Sequence, residues 1–213
     1  LKPLNNTRWL LFSRRDGAPD WELVHRDETG RTREPSPVAR IGDELLVSAN
    51  PTLTEPDAYN GPSQPTIFRF DAGRPADAPS QELPTWSHEP RFSEHSYRTF
   101  VADSDSGQVL LMQNEGYELA HISLRQQVAW RGLGPIRWPY GDRYDKPQPL
   151  RLCYPNVMLR AGAAHFVGVG DIIEPVAAWR EEKKRITGRE WDYVFRRLFY
   201  AHTPSVATQP FGT

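Results

Sequence analysis

The chain of 213 residues has little of what defines several large protein classes. Its one cysteine, Cys153, excludes an internal disulfide framework and leaves the redox compartment open. No apolar run approaches the roughly 18 residues that a membrane-spanning helix needs, so we predict no membrane contact. The net charge of −1 provides no basic field, which argues against a nucleic-acid partner.

Motifs for nucleotide binding are absent as well. The sequence contains no GxGxxG after a strand and no GxxxxGK[ST]. The run GVGD at 168–171 is too short to hold a phosphate and fits a strand end better. The carboxylates show no spacing that would indicate a two-carboxylate glycosidase.

Aromatic residues and turn formers are what the chain has in abundance. Seven Trp, eight Tyr and nine Phe accompany 20 Pro and 15 Gly. The aromatic content indicates a folded chain although only 38% of the residues are apolar. The prolines and glycines favour many turns over long helices, and chains of this kind are often all-β and often bind carbohydrate.

Short strand-like runs alternate with turn residues along the chain, and we predict roughly ten to thirteen strands with hairpin connections. The runs lie within 9–24, 37–50, 66–73, 97–125, 128–138, 151–171 and 191–204, and a proline-rich loop covers 74–91. The run at 128–138 is predicted to be a short strand pair. Within 172–193 the charged run AAWREEKKRI predicts a helical insertion that Gly188 ends, most simply with a solvated charged face.

Regular antiparallel strands fit a sandwich or a propeller, and the repeat length favours the propeller. The strand–turn–strand–aromatic pattern recurs every 40–50 residues, the length of a four-stranded blade. SRRDGAPDW at 13–21 resembles a degenerate Asp-box. We therefore predict an all-β fold, a β-propeller of four-stranded antiparallel blades with one short helical insertion. Since about seven blades need about 300 residues, residues 1–213 are expected to be one domain, incomplete at both ends.

Two histidines near predicted strands are candidates for chemistry. His95 precedes the strand that begins near Tyr97, which places it at a sheet rim, although a loop hydrogen bond would also explain it. His121 lies within a predicted strand, where a buried neutral histidine is the alternative. Tyr97 and Arg98 are candidates for substrate binding, and Arg98 could instead simply face solvent.

The stretch around 140–165 contains the other candidates. Tyr140 and Tyr144 lie in a loop dense in aromatics, charges and prolines, the usual setting for binding residues, and packing over the rim is the alternative. Tyr154 follows in the next strand, as a further substrate-binding candidate. Arg160 and His165 flank the turn at 161–164, so they approach each other at one end of that hairpin.

A metal site would use His165 and Cys153. These are two potential zinc ligands, but they show no CxxC or HxxxH spacing. The ordinary interpretation of Cys153 is a small buried hydrophobic residue.

At these residues the chain resembles a known family. HSYRTFVADSDSGQVLLMQNEG at 95–116 is similar to a phrase of sialidase-like propellers with BNR-type repeats, and within that group the chain looks most like the propeller-type ulvan lyases. The resemblance implies that Tyr144 and Arg160, sixteen residues apart, line a substrate canyon with His95 and His121. It also implies that His165 accompanies a structural metal, zinc or calcium.

The activity that the resemblance implies is β-elimination in a uronic-acid-containing, ulvan-like sulfated polysaccharide. Arg160 would neutralise the uronate carboxylate, because a guanidinium pairs bidentately and stays protonated. Tyr144 would act as base, acid or both, helped by Arg160, with His95 or His121 as partner. No cofactor is required for this elimination.

Two other functions stay open at this stage. A sialidase-like hydrolase would need an arginine triad, a Tyr–Glu pair and an acidic Asp, and no Tyr–Glu arrangement stands out. A non-catalytic propeller would only stack its aromatics on sugars. For all three, we expect an acidic polysaccharide or oligosaccharide as partner and a monomeric chain. The resemblance implies a secreted or periplasmic location, although no signal peptide is visible in the sequence.

Overall fold

The structure is a computed structural model. It describes residues 8–27, 34–54, 60–117, 119–137, 140–142, 145, 147–149, 151–189, 194–208 and 211. The described residues form fifteen strands and one helix, so the fold is mostly β, as predicted. No described helix is long and apolar enough to cross a membrane.

Four antiparallel sheets follow one another along the chain, and within each sheet neighbouring strands are sequential. The first sheet contains β1 (Leu10–Ser13) and β2 (Glu22–Arg26). The second contains β3 (Val38–Ile41), β4 (Glu44–Ala49), β5 (Thr66–Asp71) and β6 (Ser80–Glu82). The third contains β7 (Arg98–Asp103), β8 (Gln108–Glu115), β9 (Leu119–Gln126) and β10 (Ala129–Arg137).

The last part of the chain adds a short ribbon and a three-stranded sheet. The ribbon pairs β11 (Tyr140–Gly141) with β12 (Gln148–Pro149). The fourth sheet contains β13 (Arg151–Arg160), β14 (Ala163–Ile172) and β15 (Val194–Thr203). Helix α1 (Ala177–Thr187) lies between β14 and β15, and Gly188 ends it with a left-handed φ of 72°. The helical insertion and its stop are thus confirmed.

The sheets pack face to face in chain order, and the alternation of side chains on β8 shows how. Val109 and Leu111 pack towards the second sheet, against its residues Leu46 and Ile67. Phe100 of β7, in their own sheet, belongs to the same cluster. Their neighbours on the other face of β8 pack towards the fourth sheet, in a cluster that includes Leu110, Met112, Leu152, Val157, Leu159 and Phe166. Because side chains of a strand alternate between faces, one apolar strand supplies two sheet interfaces.

An aromatic cluster joins the first sheet to the second. Trp9, just before β1, has its ring 5.0 Å from Phe68 and 6.3 Å from Phe70 on β5. The fourth sheet differs from the first, because its outer face exposes large side chains. These are Met158, Val167, Leu198 and Tyr200.

Two details of the strand predictions are wrong. The predicted loop at 74–91 contains β6, whose sequence Ser-Gln-Glu has no apolar residue and pairs as a strand only because β5 offers an edge. The predicted strand pair at 128–138 is instead the single strand β10, where Gly134, with a φ of 93°, forms a bulge rather than a turn.

A partly buried ion network, centred on the buried Arg125, crosses the interface between the second and third sheets. Arg125 on β9 is 2% exposed and donates through Nε and Nη2 to both carboxylate oxygens of Glu82, each at 2.9 Å. Its Nη1 donates to Glu44 Oε2 at 2.9 Å. Arg69 Nη1 donates to Glu44 Oε1 at 3.0 Å, and Trp130 Nε1 donates to Glu82. The two carboxylates are therefore held by charged donors from both sheets.

The network predicts a specific acid sensitivity. Burial raises the pKa of Glu44, but the hydrogen bonds and charges of Arg125 and Arg69 outweigh this and hold the pKa below its ordinary 4.5. A carboxyl with a lowered folded-state pKa stabilises the fold above its unfolded pKa and loses that contribution as the pH falls through the folded one. We therefore expect the free energy of unfolding to fall below pH 4.5. In Glu44→Gln the free energy of unfolding, measured by urea denaturation at several pH values, should fall less steeply below pH 4.5 than in wild type. A fall as steep as in wild type would contradict this prediction.

Candidate functional site

The loop 91–97, which leads into β7, forms the floor of the candidate site. Residues 93–96 make a tight turn, because Ser96 N donates to Ser93 O at 2.9 Å and Ser93 N donates to Ser96 Oγ at 3.1 Å. His95 lies inside this turn. Its position is therefore fixed by local hydrogen bonds before any packing is considered.

Buried amides and a neighbouring loop hold the turn in place. Asn50 Nδ2 donates to Ser93 O at 2.8 Å, and Gln113 Nε2 donates to Asn50 Oδ1 at 3.0 Å. Both amide side chains are fully buried. Residues 61–63 add backbone bonds, with Ser63 N donating to Phe92 O and Glu94 N donating to Gly61 O. The loop is thus tied to both the second and the third sheet.

A cleft of about 340 Å³ opens beside this turn. It is lined by Asn60, Pro62, Arg91, Phe92, Ser93, His95, Ser96, Gly116 and Tyr117. Its lining combines apolar rings with an imidazole, an arginine and hydroxyls, a mixture that suits a polar ligand with flat faces.

A group of three tyrosines and an arginine adjoins the cleft through Tyr117, which lines it. The ring of Tyr97 lies 5.9 Å from that of Tyr117 and 5.1 Å from that of Tyr154. The guanidinium carbon of Arg151 lies 3.9 Å from the centroid of the Tyr117 ring, in a cation–π contact. We refer to Tyr97, Tyr117, Tyr154 and Arg151 as the tyrosine–arginine cluster.

Hydrogen bonds between sheets bring this cluster together. Leu152 N donates to Tyr117 O at 2.8 Å, and Asn114 Nδ2 donates to Leu152 O at 3.1 Å. These bonds join the start of β13 to the turn between β8 and β9. Arg151, at the first position of β13, is therefore held against Tyr117, the residue that follows the turn glycine Gly116.

Tyr154 has an unusual backbone at this point. It lies in a bulge of β13, where the register with β14 shifts between Cys153 and Asn156. Its φ is 48°, in the left-handed region that a tyrosine rarely adopts, and its side chain is 61% exposed. Such strain persists only where the surroundings impose it, and it is frequent at functional sites. Here the bulge turns an exposed phenol towards Tyr97.

The imidazole of His95 has a buried carboxylate beside it. Glu94 is fully buried, and its Oε2 lies 3.7 Å from His95 Nδ1. The other oxygen, Oε1, accepts a hydrogen bond from Asn60 N at 2.9 Å. His95 Nδ1 also lies 3.5 Å from Ser93 Oγ, and its side chain is 17% exposed. A histidine next to an acidic group at the edge of a cleft is suited to proton transfer.

His121 lies close to the cleft but beneath its surface. It is 3% exposed, its Nε2 is 2.8 Å from Glu115 Oε2, and its ring meets those of Phe92 and Trp86 edge to face. Burial lowers the pKa of His121, and the bond to Glu115 offsets only part of this effect. The structure therefore places His121 in the packing behind Phe92, as a neutral ring, and not among the residues that line the cleft.

Arg98 is directed away from the cleft lining. Its Nη2 donates to the backbone oxygens of Glu34 at 2.8 Å and Pro35 at 3.1 Å. Burial lowers its pKa to about 10, although the charge of Glu34 acts in the opposite direction. Arg98 thus anchors the chain that enters β3, while Tyr97 beside it belongs to the tyrosine–arginine cluster.

The structure places Arg160 near His165, at the end of β13 that lies away from Tyr154. Arg160 ends β13 and is exposed, whereas Tyr154 lies six residues earlier. At about 3.3 Å per residue, the two are about 20 Å apart along the strand. The turn that follows Arg160 meets the opposite end of the third sheet, where Gly162 N donates to Asp103. Tyr144 lies outside the described residues, and Tyr140 is described only as part of strand β11.

The predicted metal ligands are not brought together. His165 pairs with Met158 across the sheet, whereas Cys153 pairs with Val169, so the two differ by five positions along β13. His165 Nδ1 instead lies 2.7 Å from the hydroxyl of Tyr200. Among the described residues, no group of three His, Cys, Asp or Glu side chains could hold a metal ion.

Sequence reasoning missed Arg91, Glu94, Tyr117 and Arg151. A usable signal exists for two of them. The start of the first strand and the second turn of a meander lie at the same end of a sheet. Tyr117 after Gly116 and Arg151 at the start of β13 therefore belong to the same end as His95. The approach of Glu94 to His95 depends on the turn at 93–96 and has no comparable signal. Neither a protein-family model nor a curated protein matches the chain.

Proposed function

We propose that this protein is a β-propeller polysaccharide lyase that cleaves a uronic-acid-containing polysaccharide by β-elimination at the cleft beside His95. The observation that carries the proposal is the meeting of His95 and its carboxylate neighbour with three tyrosines and Arg151 at one edge of two adjacent sheets. Aromatic rings stack on sugar faces, and a guanidinium recognises a carboxylate, so the cluster suits an acidic saccharide.

The arrangement of the sheets supports the propeller part of the proposal. The first strands of the second, third and fourth sheets, β3, β7 and β13, contact one another in sequence. The sheets are meanders that stack face to face, as blades do around an axis. In this interpretation β15 is the third strand of its blade and α1 is an insertion before it.

In the proposed reaction Arg151 binds the uronate carboxylate. Pairing with a cation makes the proton on the adjacent C5 more acidic, because the charge that develops on removal of this proton is stabilised. This assigns to Arg151 the role predicted for Arg160, since Arg151 is the arginine that contacts the tyrosines. Tyr117 and Tyr154 would hold the sugar ring by stacking.

Proton transfer in the proposed reaction involves His95 and Tyr97. His95 accepts the C5 proton, the electron pair forms the C4–C5 double bond, and the C4–O bond breaks. Tyr97, whose ring lies next to those of Tyr117 and Tyr154, donates its proton to the departing oxygen. His95 then releases the C5 proton to solvent and Tyr97 takes one up, which restores both residues. No redox step occurs, and one polysaccharide becomes two chains, one with an unsaturated uronate at its new end.

The proposal is tested with ulvan as the probe, by following the ultraviolet absorbance of unsaturated uronate beside reducing ends. We expect both signals from the wild-type chain. His95→Ala and Tyr97→Phe should lower the rate by about 10²–10⁴-fold while binding is retained. Arg151→Met should weaken binding, because it removes the carboxylate partner.

Matched controls and products decide between the functions. His202→Ala removes an exposed histidine of the fourth sheet and should leave the rate unchanged. A neutral polysaccharide such as dextran should give neither signal. Reducing ends without the absorbance would identify a hydrolase, and binding of ulvan with no product would identify a glycan-binding module. Either result would overturn the lyase proposal.

A further inference from the structure

We infer that Glu94 is a positioning residue for His95, which fixes the tautomer and the orientation of the imidazole in the cleft. The inference rests on the proposed function for its catalytic consequence, but not for its structural part. It starts from a fully buried carboxylate whose Oε2 lies 3.7 Å from His95 Nδ1.

The carboxylate is held so that one oxygen faces the histidine. Asn60 N donates to Oε1 at 2.9 Å, and Asn60 itself has a left-handed φ of 60°. The backbone of Glu94 is tied to the same loop, because its N donates to Gly61 O at 2.9 Å. With one oxygen and the main chain fixed, the remaining oxygen cannot turn away from His95 without breaking the bond to Asn60.

A carboxylate on the Nδ1 side decides which nitrogen carries the proton. Neutral imidazole has one N–H, and a nearby acceptor favours the tautomer that donates to it. Ser93 Oγ, 3.5 Å away, lies on the same side. Nε2 is then the nitrogen that accepts a proton, and the resulting imidazolium gains from the neighbouring negative charge. At 3.7 Å, Glu94 Oε2 lies just beyond hydrogen-bond distance of Nδ1, and we expect this bond to form when the site tightens around substrate.

Three other charged groups near the cleft, all within the part of the chain that the structure describes, are placed differently. Arg91 lines the cleft and is a cation, and Glu115 lies 2.8 Å from the buried His121. Glu89, in the same loop as Glu94, is exposed. Among these groups Glu94 alone combines full burial with proximity to His95.

The test compares Glu94→Gln with Glu89→Gln. Glutamine keeps an oxygen for Asn60 N, so the variant retains that bond, and it places an amide NH2 donor instead of an acceptor oxygen beside His95 Nδ1. In wild type, ¹⁵N NMR should show His95 protonated at Nδ1, and Glu94→Gln should abolish this preference, while Glu89→Gln keeps it. With ulvan, Glu94→Gln should lower kcat by about tenfold or more, leave KM within about twofold, and shift the acidic limb of the pH–rate profile. Glu94→Asp, which keeps the charge, should restore part of kcat.

The outcomes separate this inference from the proposed function. If wild type gives no unsaturated product, the lyase proposal fails, and the NMR comparison still tests the pairing of Glu94 with His95. If wild type is active but Glu94→Gln has the wild-type tautomer and pH–rate profile, the inference alone is wrong. Unfolding curves accompany each variant, and a loss of kcat that follows only a loss of folded protein also overturns it.

Discussion

Replacement of Arg125 by methionine is expected to lower the free energy of unfolding by about 3–5 kcal/mol. The substitution keeps much of the side-chain volume but leaves Glu82, 13% exposed, and Glu44 without the cation that binds both. Removing one partner of a buried ionic group is costly, since the remaining charge stays desolvated. Urea unfolding at pH 7, analysed with a common slope, measures the change.

Two further variants identify the cause of that loss. Arg40→Met changes an exposed arginine on β3 and should stay within about 0.5 kcal/mol of wild type. Arg125→Met combined with Glu44→Gln and Glu82→Gln should recover part of the stability, because it removes two carboxylates that only Arg69 would still neutralise. If the single Arg125 variant is as stable as wild type, the network does not stabilise the interface between the second and third sheets.

Gly132→Ala is expected to destabilise the chain by about 3 kcal/mol, the upper end of the range for overpacking. A Cβ at this position would clash with Ser87 N and with the carbonyl carbon of Trp86. These are backbone atoms, so no side-chain rotation relieves the clash. Either β10 or the segment at 86–87 must move, which would disturb the packing that Trp86 makes with Phe92.

Gly73→Ala is the matched control, because the nearest atom to its new Cβ is a side-chain oxygen of Asp71 at 3.3 Å. This variant should remain within about 0.5 kcal/mol of wild type. Thermal and urea unfolding of the two alanine variants provide the comparison. Equal stability of Gly132→Ala and wild type would show that β10 and the segment at 86–87 are not in close contact.

Local patterns in the sequence were sufficient for most of the secondary structure. Hairpins centred on Gly42 and on Gly162 have glycines with positive φ at their turns, and their strands alternate clearly. Helix α1 could be predicted because charge and helix propensity agree with the stop at Gly188. Strand β6 could not, since its pairing comes from the edge of β5 rather than from its own residues.

The candidate site was only partly predictable, for reasons of geometry. His95 and Tyr97 directly precede a strand, so the sequence alone places them at one end of a sheet. Arg160 was predicted from its spacing to Tyr144, yet β13 begins at the edge near Tyr97 and ends at the opposite edge. Following the direction of each strand along the chain would have placed Arg151, rather than Arg160, at the same end of the sheets as Tyr97. The bulge that exposes Tyr154 is a tertiary feature, and nothing in the residues Cys-Tyr-Pro-Asn specifies its direction.

The backbone conformation of Tyr154 also makes the stability of the fold and the binding of a sugar compete with each other. A left-handed conformation costs a residue with a Cβ about 1–2 kcal/mol, and glycine avoids this cost. A search for heat-resistant variants would therefore favour glycine or asparagine at position 154. Either replacement removes the ring that lies 5.1 Å from Tyr97. Variants selected for robustness alone would thus lose one wall of the sugar-binding surface proposed here, an instance of stability gained at the expense of activity.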